Sequence, residues 1–295
     1  MSFKQSVIDV YDKKYKQLLV LSFLLLFGCI GFLVFKFVTT GEFFERGVSL
    51  KGGITMTIPV EIFVDVHELQ SFLSDKFPKA DISVRSLAKA GKLSALIIEA
   101  ADVDEDSLIS AISSYGVVLE RGKYSIENMG SSLGENFFRQ TLGALLIAFI
   151  CMSIVVYVTF RVAVPSLFVI LAAFSDIVST LAVISFLDIK LSTAGIAAFL
   201  MLIGYSVDTD ILLTTKVYKR REGSELERLF SAIKTGLTMT ATALVAVLVA
   251  YFVTDADVIK QIMFILMVGL VFDVVYTWIQ NAGILRWYME WERGR

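Results

Sequence analysis

Cysteine, histidine and the glycine-rich signatures of nucleotide chemistry are all scarce in this chain of 295 residues, which has two cysteines and one histidine. Cys29 and Cys151 both fall within long apolar runs, where a free cysteine acts as a small hydrophobe, so neither a disulfide framework nor a cysteine metal site is expected. His67 has no second histidine or cysteine at ligand spacing and reads as a surface side chain. No Gly-rich phosphate loop, Walker motif or nucleophile elbow is present, and the pair Gly52-Gly53 is too short to cradle a phosphate. The chain is therefore expected to be no enzyme, to use no metal or other cofactor, and to bind no nucleic acid.

Apolar residues are what the chain has in abundance. They make up 56% of it and mean hydropathy is +0.72, too apolar for an ordinary soluble domain. Runs with few or no charges occur near 18–35, 142–160, 162–187, 191–215, 235–254 and 261–285. Each reaches the ~18–20 residues that cross ~30 Å of hydrocarbon as a helix. The expected fold class is a polytopic α-helical membrane protein with six transmembrane helices.

Charge sets the expected orientation. Residues 39–135 hold fifteen Asp and Glu against nine Lys and Arg, and the remainder holds fourteen acids against eighteen bases. Outside 39–135 the bases gather in alternate connections: Lys4, Lys13, Lys14 and Lys16 before span one, Arg161 between spans two and three, Lys216 to Arg228 between spans four and five, and Arg286, Arg293 and Arg295 after span six. By the positive-inside rule both termini are cytoplasmic and segment 39–135 lies outside. The expected layout is a cytoplasmic segment 1–17, a first transmembrane helix at 18–38, an extracytoplasmic α+β domain at 39–135, helices two to six within 136–285 and a cytoplasmic tail at 286–295. Residues 1–17 read as a short interfacial helix, and Lys36 can snorkel to the outer interface. Span one is too long for a signal peptide and no A-x-A-like site follows it, so it is expected to remain as an anchor.

The outer segment alternates strand and helix signals. Ile54, Met56, Ile58, Val60 and Ile62 recur with period two, and Val66, Leu69, Phe72, Leu73 and Phe77 at helical spacing. Strand-like runs at 81–87 and 93–99 join across Ala90-Gly91-Lys92 as a hairpin. Asp102 to Glu105 resembles a capping box opening a second helix. A last pair of runs, 117–120 and 124–127, turns at Arg121-Gly122. The order β-α-β-β-α-β predicts a ferredoxin-like domain, a fold that does not by itself choose a function.

Four acids interrupt the membrane runs: Asp176, Asp208, Asp210 and Asp273. An ionisable group there costs roughly 2.5–3.5 kcal/mol on insertion scales and needs a compensating role. Asp176 and Asp273 lie mid-span and read as supports. Asp208 and Asp210 are about 200° apart around one helix, so one faces the bundle or a partner while the other faces water or headgroups. Lys234 opens span five at a similar depth, so an Asp208–Lys234 or Asp210–Lys234 pair is expected. Ala232, Gly236 and Thr240 form a small-xxx-small ridge, and Gly204 lies one turn before Asp208, so Gly204, Gly236 and Thr240 are expected packing positions.

The stretch Gly204-Tyr205-Ser206-Val207-Asp208-Thr209-Asp210 resembles the SecF subunit family of the SecD/SecF protein-export complex. Gly47-Val48-Ser49-Leu50-Lys51-Gly52-Gly53-Ile54 is similar to the family's glycine-pair motif, so Gly52 and Gly53 are candidate motif residues. Ser175-Asp176-Ile177 and Lys234-Thr235-Gly236-Leu237-Thr238 match two further sites. Where bacterial members carry Asn-Asp-Thr this chain has Asp208-Thr209-Asp210, so the family's acid maps onto either aspartate. Lys234 replaces an arginine and loses its bidentate fork, and Ser49 replaces an acid, as in an archaeal version.

The resemblance implies one half of an RND-like twelve-helix bundle that pairs with a SecD-like membrane subunit beside the Sec translocation channel. It implies an outer domain that meets translocating unfolded polypeptide, and a proton gradient coupled through Asp208, Asp210, Lys234, Asp176 and Asp273, with Asp208 the favoured main acid. Two other readings share the bundle and its acids: a proton-coupled small-molecule half-transporter, and an assembly subunit without ion coupling. In all three the lipid bilayer is the surrounding phase.

Overall fold

The structure, a computed structural model, describes residues 3–60, 64–89, 92–117, 119, 124–219, 223–254 and 256–294. The stretches Lys14–Thr40, Ser131–Phe160, Ala163–Phe186, Thr193–Lys219, Glu225–Val253 and Val258–Arg293 form six helical segments long and apolar enough to cross a membrane. Helices suit this role because they satisfy their own backbone groups where water is absent.

Helix α1 runs unbroken over Phe3–Thr40, so the first residues are not a separate interfacial helix. Its 38 residues reach ~57 Å at 1.5 Å per residue, well beyond a bilayer core. It meets the bundle through one narrow stripe, Tyr15, Ser22, Leu26 and Leu33. Helix α2 (Val48–Lys51) then leads into the α+β domain expected outside. The remaining spans are α5 (Ser131–Phe160), α6 (Ala163–Phe186), α7 (Thr193–Thr214), α8 (Glu225–Val253), and α9 (Asp257–Val275) continued by α10 (Ala282–Arg293). A π-helical turn, Thr215–Lys219, extends α7, and another, Tyr276–Asn281, joins α9 to α10. Residues 286–293, expected in a tail, thus continue the sixth helix. The inner helices are α6, α7 and α9, around Leu202, Ile265, Leu266 and Leu270. Helices α1, α5 and α8 turn rows such as Leu146, Ile150 and Ile154 outward, as lipid-facing helices do.

Between α2 and α5 the chain builds β1 (Gly53–Pro59), α3 (Val66–Lys76), β2 (Asp81–Lys89), β3 (Lys92–Ala101), α4 (Glu105–Tyr115) and β4 (Ser125–Met129). The four strands form an antiparallel sheet ordered β2-β3-β1-β4, the ferredoxin-like arrangement. Alternation sends Ile54, Met56 and Ile58 to one face, where they pack with Leu69 and Leu73 of α3 and Leu108 and Ile112 of α4. Two local expectations change. The N-cap of α4 is Asp104, accepting from the Ser107 N–H, because β3 runs to Ala101 and Asp102 makes a left-handed turn with φ 60°. Strand β4 pairs with β1 and has no described hairpin partner before it: Val117 and Leu119 are not in a strand, while 118 and the turn at Arg121-Gly122 lie outside the described residues, as do Ala90 and Gly91 of the hairpin.

The glycine pair explains how the two halves of the chain meet. Gly52 has φ 89° and ψ 161°, a region open essentially to glycine alone. A Cβ on Gly52 would stand 2.4 Å from Ser131 Cα, and one on Gly53 (φ 136°) would stand 2.5 Å from the Ala100 carbonyl oxygen. The same junction is tied to the α6–α7 connection. Gly47 N–H donates to Leu191 O and Leu191 N–H to Glu45 O, each at 2.8 Å. Ser49 Oγ accepts from Thr193 N–H at the start of α7, a cap that an aspartate would also supply.

Charges reinforce the tie. Lys36 does not only snorkel; its ammonium reaches Asp188 at 2.8 Å and the Ser185 carbonyl at 2.7 Å. Asp81, at the start of β2, accepts from Lys190 at 2.7 Å and Lys51 at 3.4 Å. Burial alone would raise the Asp81 carboxyl, but the hydrogen bond and charge of Lys190, helped by Lys51, outweigh it and hold the group below its ordinary 3.8.

Two outcomes are expected. Gly52→Ala places a side chain against backbone in a forbidden region and should destabilise the protein by about 2 kcal/mol or more, read as a lower melting temperature in detergent; an unchanged melting temperature would contradict the junction described. A lowered Asp81 value means that its pairing contributes fully above pH 3.8 and is lost as pH falls below that through the folded-state value. Spin labels on the outer domain and the α6–α7 connection should therefore separate in that acidic window, and Asp81→Asn should show the separated distance already at neutral pH.

Candidate functional site

Each inner helix carries a polar stripe at helical spacing. On α6 it is Ser175, Asp176, Ser179 and Thr180; on α7 it is Ser206, Thr209, Asp210 and Thr214. On the sixth span it is Asp273, Thr277, Gln280 and Asn281. Residues three and four apart share a face of a helix, so three such stripes on mutually packed helices converge. All these side chains are buried, and Asp176, Asp210 and Asp273 are fully so.

The convergence is specific. Ser206 donates to Asp176 Oδ2 across the α6–α7 contact. Thr209 and Thr277 both donate to Asp273 Oδ1, at 2.9 and 3.0 Å. The Asn281 amide donates to Asp210 Oδ1 at 2.7 Å, and the Gln280 amide to Ser175 Oγ at 3.2 Å. The π-helical turn makes this last pair of contacts possible. It buries Tyr276, Thr277, Trp278, Gln280 and Asn281, a wider arc than one α-helical turn presents, and such turns are frequent at functional sites.

Acceptors outnumber donors in the cluster. Asp176 Oδ1, Asp210 Oδ2, Asp273 Oδ2, Gln280 Oε1 and Asn281 Oδ1 are buried and meet no donor, and the hydroxyls of Thr180 and Thr214 are buried without a partner as well. The printed bonds that reach the three carboxylates come from hydroxyls and one amide; among the described residues no ammonium or guanidinium pairs with them. Neutral donors alone do not offset buried negative charge.

Other sequence candidates fall elsewhere. Asp208 is exposed on the far side of α7, in a stripe with Met201, Gly204 and Tyr205. Lys234 is exposed on α8 and forms neither expected pair, because the face of α8 that meets the bundle holds Ala232, Gly236 and Thr240, and Lys234 is turned about 200° from 232 and 236. The lysine that bridges the two helices is Lys216, which donates to Thr235 Oγ1 at 2.8 Å and Ser231 O at 3.1 Å. Gly204 has no atom within 4 Å of where a Cβ would stand, whereas Gly236 lies directly under Trp278, whose ring a Cβ would meet at 2.0 Å. Gly52 and Gly53 sit at the junction with the outer domain, away from the cluster. Sequence reasoning missed Ser206, Thr209, Thr277, Gln280 and Asn281, although the polar spacing 273, 277, 280, 281 within an apolar run was a usable signal.

Comparison with known proteins gives a consistent picture. A family model described as "Protein export membrane protein SecD/SecF, C-terminal" matches residues 112–291. A protein-export membrane protein SecF from Methanolacinia petrolearia is 37% identical over 288 residues, covering 96% of each chain. A SecF from Methanothermobacter thermautotrophicus is 39% identical, covering 83% of this chain and 85% of its own. One from Pyrococcus furiosus is 36% identical over 92% and 90%. Among solved structures, SecDF from Thermus thermophilus, titled a translocon-associated membrane protein, superposes with a TM-score of 0.72 at 19% identity, over 94% of this chain and 38% of that longer one. That likeness speaks for the fold.

Gly204 and Gly236 should respond differently to substitution. Gly236→Ala forces Trp278 to move and should lower stability by roughly 1–3 kcal/mol, while Gly204→Ala should change the isolated chain by less than about 0.5 kcal/mol. Melting temperatures of the two variants in detergent test this; equal shifts would contradict the packing.

Proposed function

The chain belongs to the SecF family of protein-export membrane proteins, accessory subunits of Sec export, and on that premise we propose that its buried Asp176–Asp210–Asp273 cluster carries the cation that couples a membrane gradient to export. The observation that carries the proposal is the cluster's composition: three fully buried carboxylates with no basic partner among the described residues. Their negative charges can coexist in a dry space only when a mobile cation compensates them. A proton also turns an acceptor oxygen into a donor, which suits the excess of acceptors.

Asp210 is our choice for the main coupling acid, in place of Asp208. It is the buried one of the two, and Asn281 holds it. Asp208 suits a different task. An exposed acid within a membrane span is costly against lipid, so the stripe Met201, Gly204, Tyr205 and Asp208 is best covered by protein. A SecD subunit is the partner, since the SecDF structure has the same fold within a chain of which this one spans 38%. The basic connections support a topology with both termini in the cytoplasm and the ferredoxin-like domain outside, and the family supports a cytoplasmic membrane. There the domain can meet polypeptide emerging from the translocation channel.

Export into inverted membrane vesicles containing the complex is the test. Asp210→Asn keeps the shape and the Asn281 contact, and should cut gradient-stimulated export at least tenfold with the complex assembled. Asp208→Asn should retain most of it. Normal gradient-stimulated export by Asp210→Asn would sink the coupling role and leave the assembly-subunit reading.

A further inference from the structure

Most buried polar side chains of the inner helices bond one another, but two hydroxyls in the same stripes do not. Thr180 of α6 and Thr214 of α7 are fully buried, and neither hydroxyl meets a partner among the described residues. A hydroxyl in a helix ordinarily turns back to the carbonyl four residues earlier. Ser153, Thr159, Ser166 and Ser175 all do so in this chain. For Thr180 and Thr214 those carbonyls belong to Asp176 and Asp210, and neither hydroxyl takes them.

Each bare hydroxyl has a counterpart one turn away. Asp176 Oδ1, four residues before Thr180, meets no donor, and neither does Asp210 Oδ2, four residues before Thr214. Side chains at i and i+4 share a helix face with Cβ atoms about 5–6 Å apart. That spacing accommodates two hydrogen bonds of ~2.8 Å laid end to end. A molecule that offers donors and acceptors at once satisfies both groups, and water is the one that buried, otherwise unsatisfied polar groups hold.

Position supplies the second observation, because the two pairs stand at opposite ends of the acid cluster. The chain reverses direction between α6 and α7, and the Ser206–Asp176 bond levels residue 206 with 176. From that level Thr180 lies ~6 Å toward the α6–α7 connection, and Thr214 lies ~12 Å the other way. Between them come Asp176, then Asp273 with Thr209 and Thr277, then Asp210 with Asn281. The column of polar groups is ~18 Å long, over half of a ~30 Å hydrocarbon core. Thr214 ends α7 where its π-helical turn begins.

We propose that each pair, Asp176 with Thr180 and Asp210 with Thr214, binds one water molecule, and that these waters are the stations where a proton enters and leaves the cluster. The water sites stand on geometry alone, while their role as stations rests on the coupling function proposed for the cluster. Thr180 and Thr214 are positioning residues, each holding a water against a carboxylate oxygen. At one station the water gives a proton to the carboxylate and takes one from the aqueous side, so the water is restored and the carboxyl is neutral. At the other station the carboxyl returns a proton to its water, which passes one on. Only O–H bonds are exchanged, and one proton crosses.

Infrared difference spectra of the purified full chain in ordinary and heavy-oxygen water test the sites, since only bands of held water shift with its oxygen isotope. Thr180→Val and Thr214→Val keep the side-chain shape without the hydroxyl, and each should remove part of the water signal. Thr180→Ser and Thr214→Ser should retain it. Gradient-stimulated export by vesicles containing the complex should fall at least fivefold in each valine variant and recover in each serine variant. Thr159→Val, which removes an exposed hydroxyl bonded within its own helix, should change neither readout. A water signal that survives both valine substitutions overturns the sites. So does a raised melting temperature in the valine variants, because replacing a bare buried hydroxyl by an apolar group is stabilising. Loss of the signal with export intact overturns the stations alone. The coupling role is judged separately, by Asp210→Asn, so the two failures are distinguishable.

Discussion

Hydrocarbon offers no water to a polar side chain, and that constraint organises the bundle. A helix carrying a carboxylate in its membrane segment must bury it against other helices or lose several kcal/mol. Helices α6, α7 and the sixth span each carry one such acid in a stripe of serine, threonine or amide side chains, and these are the inner helices of the structure. Among the described residues, helices α1, α5 and α8 show no comparable buried acid, and they form the apolar outside. The polar cluster and the arrangement of the helices are thus two expressions of one requirement. The π-helical turn at Tyr276–Asn281 belongs to the same logic, because it brings Gln280 and Asn281 to two different helices at once.

Long periodic patterns were legible in the sequence. Six apolar runs became six spans, and the strand and helix periods of the outer domain became a β2-β3-β1-β4 sheet under two helices. Boundaries were less legible, because they depend on neighbours: α1 and α10 run further than hydropathy suggests, and the α4 cap moved from Asp102 to Asp104 once β3 extended to Ala101. The site was half legible. Four membrane acids stood out by their cost, but which of them meet is a matter of helix rotation, and rotation is set by packing. Lys234 shares the sequence depth of the α7 acids and still points away, since Gly236 under Trp278 fixes the face of α8 that turns inward.

Asp208 and Asp210 show what two residues of separation decide on a helix. One is enclosed with Asn281; the other stands in an outward stripe beside Gly204, where a small residue leaves room for a close neighbour. A single chain gives the outward acid nothing to pair with among its described residues, and a second half-bundle would. The sequence motif that spans both residues therefore serves an inner and an outer surface together.

Helix α7 also sets how far an event at the acids can be felt. Its first turn is capped by Ser192 and bonded to Ser49 through the Thr193 N–H, and the residue pair just before it, Leu191 and Ser192, is bonded to Glu45 and Gly47 and to Gln261 near the start of α9. From Ser192 to Asp210 is about 27 Å of continuous helix at 1.5 Å per residue. A packed helix moves as a body rather than stretching, so a shift of α7 on changing the charge at Asp210 either breaks those backbone bonds or carries the Gly52-Gly53 junction with it. The junction leads directly into β1, the central strand of the outer domain. Both inner helices that hold Asp210 and Asp273 begin at this one knot. The mechanical connection between membrane acids and outer domain is therefore built from main-chain hydrogen bonds and close glycine contacts, which tolerate little slack.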